Sequence, residues 1–77
     1  MNDKITKALA SELQSMRQNR NLTQQDIADR IGTTRSRVAN YEQGRRDVPL
    51  DIFFKYCDVC GTDAYEILDK VRKYVYK

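Results

Sequence analysis

Twelve residues in the middle of the chain, Arg35 to Arg46, hold four arginines (35, 37, 45 and 46) against a single acid, Glu42. Their net charge of +3 equals that of all 77 residues. From Leu50 to Lys77 the basic and acidic residues balance at five each. A cationic segment on an otherwise neutral chain suits a polyanion, whose condensed counterions it releases on binding. The side-chain types are more specific than the charge. Arginine offers two parallel donors that match guanine O6 and N7, asparagine pairs with adenine N6 and N7, and serine suits several base edges. Arg35, Ser36 and Asn40 are residues of those types. The plainer reading is a solvated arginine-rich face, with Asn40 as ordinary helix surface.

A second group that could do chemistry is Cys57-x-x-Cys60. Such a pair can be a redox couple or half of a zinc site. Zinc needs four ligands, and the chain has no histidine and no other cysteine. No βαβ pattern accompanies the pair, so buried thiols are the default and no metal site is expected. Without histidine, the commonest general base is missing. There is no nucleophile–base spacing and no glycine-rich phosphate loop. Neither an enzyme nor a cofactor is expected, and no small-molecule ligand is evident.

The elements that must position these residues follow from apolar spacing and punctuation. A first helix runs from about Asp3 to Gln18, with Ile5, Leu9, Leu13 and Met16 on one face. Thr23 is a good N-cap for a second, with Asp26 near the positive end of its dipole. That helix buries Ile27, Ala28 and Ile31 and ends at Gly32. Thr34 caps a third helix, Arg35 to Gln43, closed by Gly44. Val38, Tyr41 and Glu42 lie on one side of it, and Ser36, Arg37 and Asn40 on the other. Pro49 suits the first turn of a fourth, whose inner face takes Phe53, Tyr56 or Cys57, and Cys60. Gly61 ends it. Asp63 with Glu66 resembles a capping box for a fifth, with Ile67, Leu68, Val71 and Val75 apolar. The expected architecture is all-α: one compact five-helix bundle, residues 1–77. Two short helices separated by Gly32–Thr34 form a helix-turn-helix, about residues 23–43.

At this point the residues carry a family. Leu22, Thr23, Gln24, Ile27, Ala28, Gly32, Thr34, Val38, Glu42 and Gly44 stand at the spacing of the phage-repressor and Cro (XRE) helix-turn-helix family, which the chain resembles from about Leu9 to Leu68. Leu50, Gly61 and Ile67–Leu68 fall where the family's last two helices place such residues. The resemblance implies a lambda-repressor-like fold that binds double-stranded DNA. By position it implies base contacts from Arg35, Ser36 and Asn40. Backbone contacts fall to Gln24, Thr34, Arg37, Arg45 and Arg46, with Gln24 also supporting the third helix. Gln24 could also be simply a polar first-turn residue. Glu42 stands where the family pairs an acid with an arginine of the first helix, here Arg17, so the two are expected to form a structural ion pair. Many relatives carry glutamine at one or both of the positions held by Arg35 and Ser36, so the bound sequence is this chain's own.

The tail from Lys70 carries Lys70, Arg72, Lys73 and Lys77 without an acid. It reads either as a DNA-touching extension or as a dimer contact, with Val71, Tyr74 and Val75 as the stripe on a C-terminal helix of residues 63–76. The dimer is favoured, because one small domain contacts little DNA. No apolar run approaches a membrane span, and Met1–Lys4 lacks the apolar core of a signal peptide. The expected protein is a soluble, cytoplasmic regulator of prokaryotic or phage type, most simply a homodimeric repressor on a palindromic operator. The alternative is a helix-turn-helix module, an antitoxin or accessory subunit, acting mainly through a protein partner.

Overall fold

Apolar spacing, caps and glycines divide the chain into five helices in the computed structural model, which describes residues 3–77. They are α1 (Asp3–Asn19), α2 (Gln24–Ile31), α3 (Arg35–Glu42), α4 (Leu50–Cys60) and α5 (Ala64–Val75). No strand forms among the described residues. The Cα radius of gyration is 11.5 Å, about what a folded chain of this length shows. The long α1 is the spine: α3, α4 and α5 pack on it, and α2 packs on α3 and α4. Leu13, Ile27, Val38, Phe53, Tyr56 and Cys60 are fully buried between them.

Several boundaries differ from the sequence reading. α1 buries Thr6 and Ala10 with Leu13 and Met16, while Ile5 and Leu9 sit half-buried at the edge. The rotation has a cause. Thr6 Oγ1 donates to Asp47 Oδ1 at 2.9 Å, and a side chain at Gly44 would touch Lys7 and Ala10. The loop before α4 therefore presses on small residues. The reciprocal capping box belongs to Thr23 and Asp26, not to Asp63 and Glu66. Thr23 N–H donates to Asp26 Oδ2 at 2.9 Å and Asp26 N–H to Thr23 Oγ1 at 3.0 Å. Asp63 instead accepts from Tyr65 N–H. Pro49 stands one residue ahead of α4, at its N-cap. Tyr56 and Cys57 are both buried. Leu68 is 39% exposed, and Val71, at 7%, belongs to this chain's own interior rather than to an outward stripe.

Both thiols are free and buried. Burial pushes Cys57 up to about 11 from an ordinary 9.0 and raises Cys60 as well. No group of three or more metal-ligating side chains occurs among the described residues. All three glycines take left-handed backbone, among them the helix caps Gly32 with φ +76° and Gly61 with φ +64°. Around Gly32 nothing lies within reach of an added Cβ, so substitution costs backbone strain alone. At Gly61 a Cβ would stand 2.5 Å from Arg20 Nη2, and Arg20 Nε donates to Cys60 O at 2.7 Å.

Gly32→Ala should therefore cost about 1–2 kcal/mol in urea unfolding, and Gly61→Ala more, since it also displaces Arg20. A thiol reagent at neutral pH should react with Cys57 and Cys60 only as fast as the protein opens, and immediately in denaturant. Prompt labelling of the native chain would contradict the buried placement.

Candidate nucleic-acid interface

The geometry of α3 is set by one carboxylate. Glu42 closes α3 with its side chain only 2% exposed. It accepts from Arg17 Nε at 2.8 Å through Oε2 and from Arg17 Nη2 at 2.9 Å through Oε1. Tyr56 Oη donates to Oε2 at 2.7 Å, and Gln24 Nε2 to Oε1 at 3.3 Å. Arg17 Nη1 donates to Leu22 O at 2.9 Å. One anion thus ties α1, α2, α3 and α4 together, and its guanidinium partner also holds the α1–α2 turn. A buried charge is tolerable only when paired and hydrogen-bonded in this way. Glu42 raises Arg17 above its ordinary value by hydrogen bonding and charge. Burial, then the bond to Glu42, drives Tyr56 far above the ordinary tyrosine range.

The turn between α2 and α3 is equally determined. Gly32 N–H and Thr33 N–H both donate to Ala28 O, at 3.0 and 2.9 Å. Thr34 then starts α3 by accepting from Arg37 N–H at 3.2 Å. With Val38, Tyr41 and Glu42 buried, the remaining face of α3 points out. Arg35, Ser36 and Arg37 are exposed, Asn40 is half-buried beside them, and Thr34, Arg45 and Arg46 are exposed at the two ends. Gln24 is half-buried; its amide donates to Glu42 and so braces α3.

The helix ends add an electrostatic pattern. α1, α2, α4 and α5 each carry an acid in the first turn: Asp3, Asp26, Asp51 and Glu66. α3 carries none and has Arg35 and Arg37 there instead. Its N-terminal partial positive charge is left uncompensated by the protein, the condition under which an external anion is favoured.

Sequence reasoning counts Tyr56 only as core and leaves Asp47 unassigned. The signal for Tyr56 is its hydroxyl: a tyrosine on an inward helix face needs a hydrogen-bond partner. Asp47 has no such signal, because its partner Thr6 is 41 residues away.

Two short helices joined by the tight Gly32–Thr34 turn, the outer one cationic and tied down through Glu42, define a helix-turn-helix nucleic-acid-binding module. The comparisons agree. A family model described as helix-turn-helix matches residues 13–67, and the chain belongs to that XRE-type family of DNA-binding transcription regulators. The clp gene regulator ClgR of Corynebacterium glutamicum superposes with a TM-score of 0.82 at 20% identity, covering 91% of each chain. The restriction-modification controller protein C.AhdI of Aeromonas hydrophila gives 0.75 at 26% identity, over 80% of this chain and 94% of that one. The hypothetical transcription factor NHTF from Neisseria gives 0.77 at 22%, over 99% and 90%. No curated protein sequence matches the chain.

Removing the central anion tests its weight. Glu42→Ala leaves Arg17 charged and Tyr56 Oη without its acceptor, and should cost about 3–5 kcal/mol. Alkaline pH tests the same region with the opposite tool. Tyr56, Cys57 and Cys60 all have raised native values. Their contribution is complete below the ordinary 9.0 of a thiol and 10.0 of a phenol and is lost as pH rises through the native values. Urea midpoints should accordingly fall above about pH 9, and Tyr56→Phe should remove part of that dependence.

Proposed function

We propose that the chain is a sequence-specific transcriptional repressor that binds a palindromic operator as a homodimer, with α3 lying in the major groove. The supporting observation is the outer face of α3: exposed Arg35, Ser36 and Arg37 at an acid-free helix start, on a helix that Glu42 prevents from turning. In this reading Arg35, Ser36 and Asn40 contact base edges. Gln24, Thr34, Arg37, Arg45 and Arg46 contact the sugar–phosphate backbone and set the register. Such a protein acts where the DNA lies, in a prokaryotic or phage-infected cytoplasm. Two copies would read half-sites about 34 Å apart. The apolar surface available for pairing is Leu50 and Phe54 on α4 with Tyr65 and Leu68 on α5, all more than a third exposed.

Selection of duplexes from a random pool should enrich one palindrome. On that site Arg35→Ala and Asn40→Ala should each lose about 1–3 kcal/mol of binding while leaving scrambled DNA almost unchanged. Arg45→Ala and Arg46→Ala should weaken both duplexes alike and reduce the salt slope by about one unit each. Equal losses on both duplexes for Arg35→Ala would exclude it as a base reader. Phe54→Lys should convert the protein to a monomer in sedimentation and leave a single half-site contact.

A further inference from the structure

A second cationic surface lies away from the outer face of α3. α1 and α5 run antiparallel: the start of α1 lies beside the end of α5, and the end of α1 beside the start of α5, with Lys70 and Glu12 paired between them at 3.5 Å. Between the first half of α1 and the last turns of α5 they leave a groove of about 660 Å³. Its floor is apolar, from Ala8, Val71 and Val75, with Tyr74 standing 65% exposed along it. Its walls carry Lys4, Lys7, Lys70 and Lys77 against one acid, Glu12. Lys77 Nζ sits over the Tyr74 ring, 5.1 Å from its centre, so cation and aromatic face lie together at the groove's end.

We propose that this groove docks an acidic amphipathic helix of a partner protein. The charge chooses the occupant. A second copy of the chain would set lysines against lysines across a two-fold interface, where like charges oppose association. A nucleic-acid backbone would meet the lysines but draw nothing from the apolar floor. A helix with an apolar stripe and flanking carboxylates uses both. The helical walls, residues 4–11 of α1 and 70–75 of α5, are about 10 Å and about 8 Å long at 1.5 Å per residue, enough for a turn and a half to two turns of a docked helix. The groove also runs up to the loop after α3: Lys7 lines it and lies against Gly44, which directly precedes Arg45 and Arg46. The docking surface stands whether or not α3 reads DNA.

The probe is a synthetic peptide with leucines along one helical face and glutamates elsewhere, paired with a scrambled peptide of identical composition. Both are titrated to about 1 mM, the weak limit of measurable binding, into ¹⁵N-labelled full chain. The amphipathic peptide should shift amides of residues 4–12 and 70–77, and the scrambled one should bind far more weakly. The double substitution Lys7→Glu and Lys70→Glu should weaken binding at least about tenfold, because like charges then face each other. It should leave the fold intact, since Lys7 and Lys70 are both exposed and a surface ion pair contributes little. Tyr74→Ser, an exposed change, should weaken binding without touching the charges. Shifts confined to residues 35–46, equal binding of both peptides, or no binding would overturn the proposal. So would a short duplex, or self-association of the chain alone, that perturbs the groove amides.

Discussion

The structure depends on keeping one carboxylate charged in a place where water hardly reaches it. Glu42 can stay there only while Arg17, Tyr56 and Gln24 converge on it from three other helices. None of those helices can shift without uncovering a charge or stranding a donor, and the penalty for that exceeds the worth of any one contact. The carboxylate therefore acts as a gauge of orientation. An apolar contact in its place would hold α3 nearly as tightly but would tolerate sliding, which directional bonds do not.

This matters because α3 has little to hold it otherwise. It has eight residues, too few to be helical alone in water, and only Val38 and Tyr41 give it an apolar grip. Apart from the buried Glu42, its other side chains are exposed or half-buried. A helix this poor in core contacts can be rich in outward chemistry only because its orientation is set from its C-terminal end by Glu42 and from its start by Thr34 and the Gly32 turn. Attachment at both ends leaves the face between them free to vary.

The helix boundaries and the turn were legible in the sequence because they are local. Thr23, Gly32, Thr34 and Gly61 act within four residues of themselves, and their chemistry does not depend on the rest of the chain. The inward and outward faces of α3 were legible for the same reason, from period alone. Other features depend on partners far along the chain. The rotation of α1 onto Thr6 and Ala10 follows from Asp47 and Gly44. The choice of Asp26 over Glu66 for a capping box is a matter of backbone entry angle. Val71 satisfies a stripe pattern on α5, yet whether that stripe faces α1 or solvent is decided by helix packing, which spacing does not encode. The Arg17–Glu42 pairing entered through family resemblance, and no local signal could have joined residues 25 apart.

One consequence of the short outer helix concerns information. Arg35 and Asn40 are five residues apart, roughly 7.5 Å along the helix axis, or two to three base-pair steps at about 3.4 Å each. On the proposed base-reading role, the word such a rod could spell is roughly three letters long, and three letters recur by chance about once in 64 positions, far too often to address a genome unaided. On that same reading, an address would be composed from repeated words and from how readily the stretch between them bends. The grammar of spacing, rather than any single letter, would carry most of its meaning.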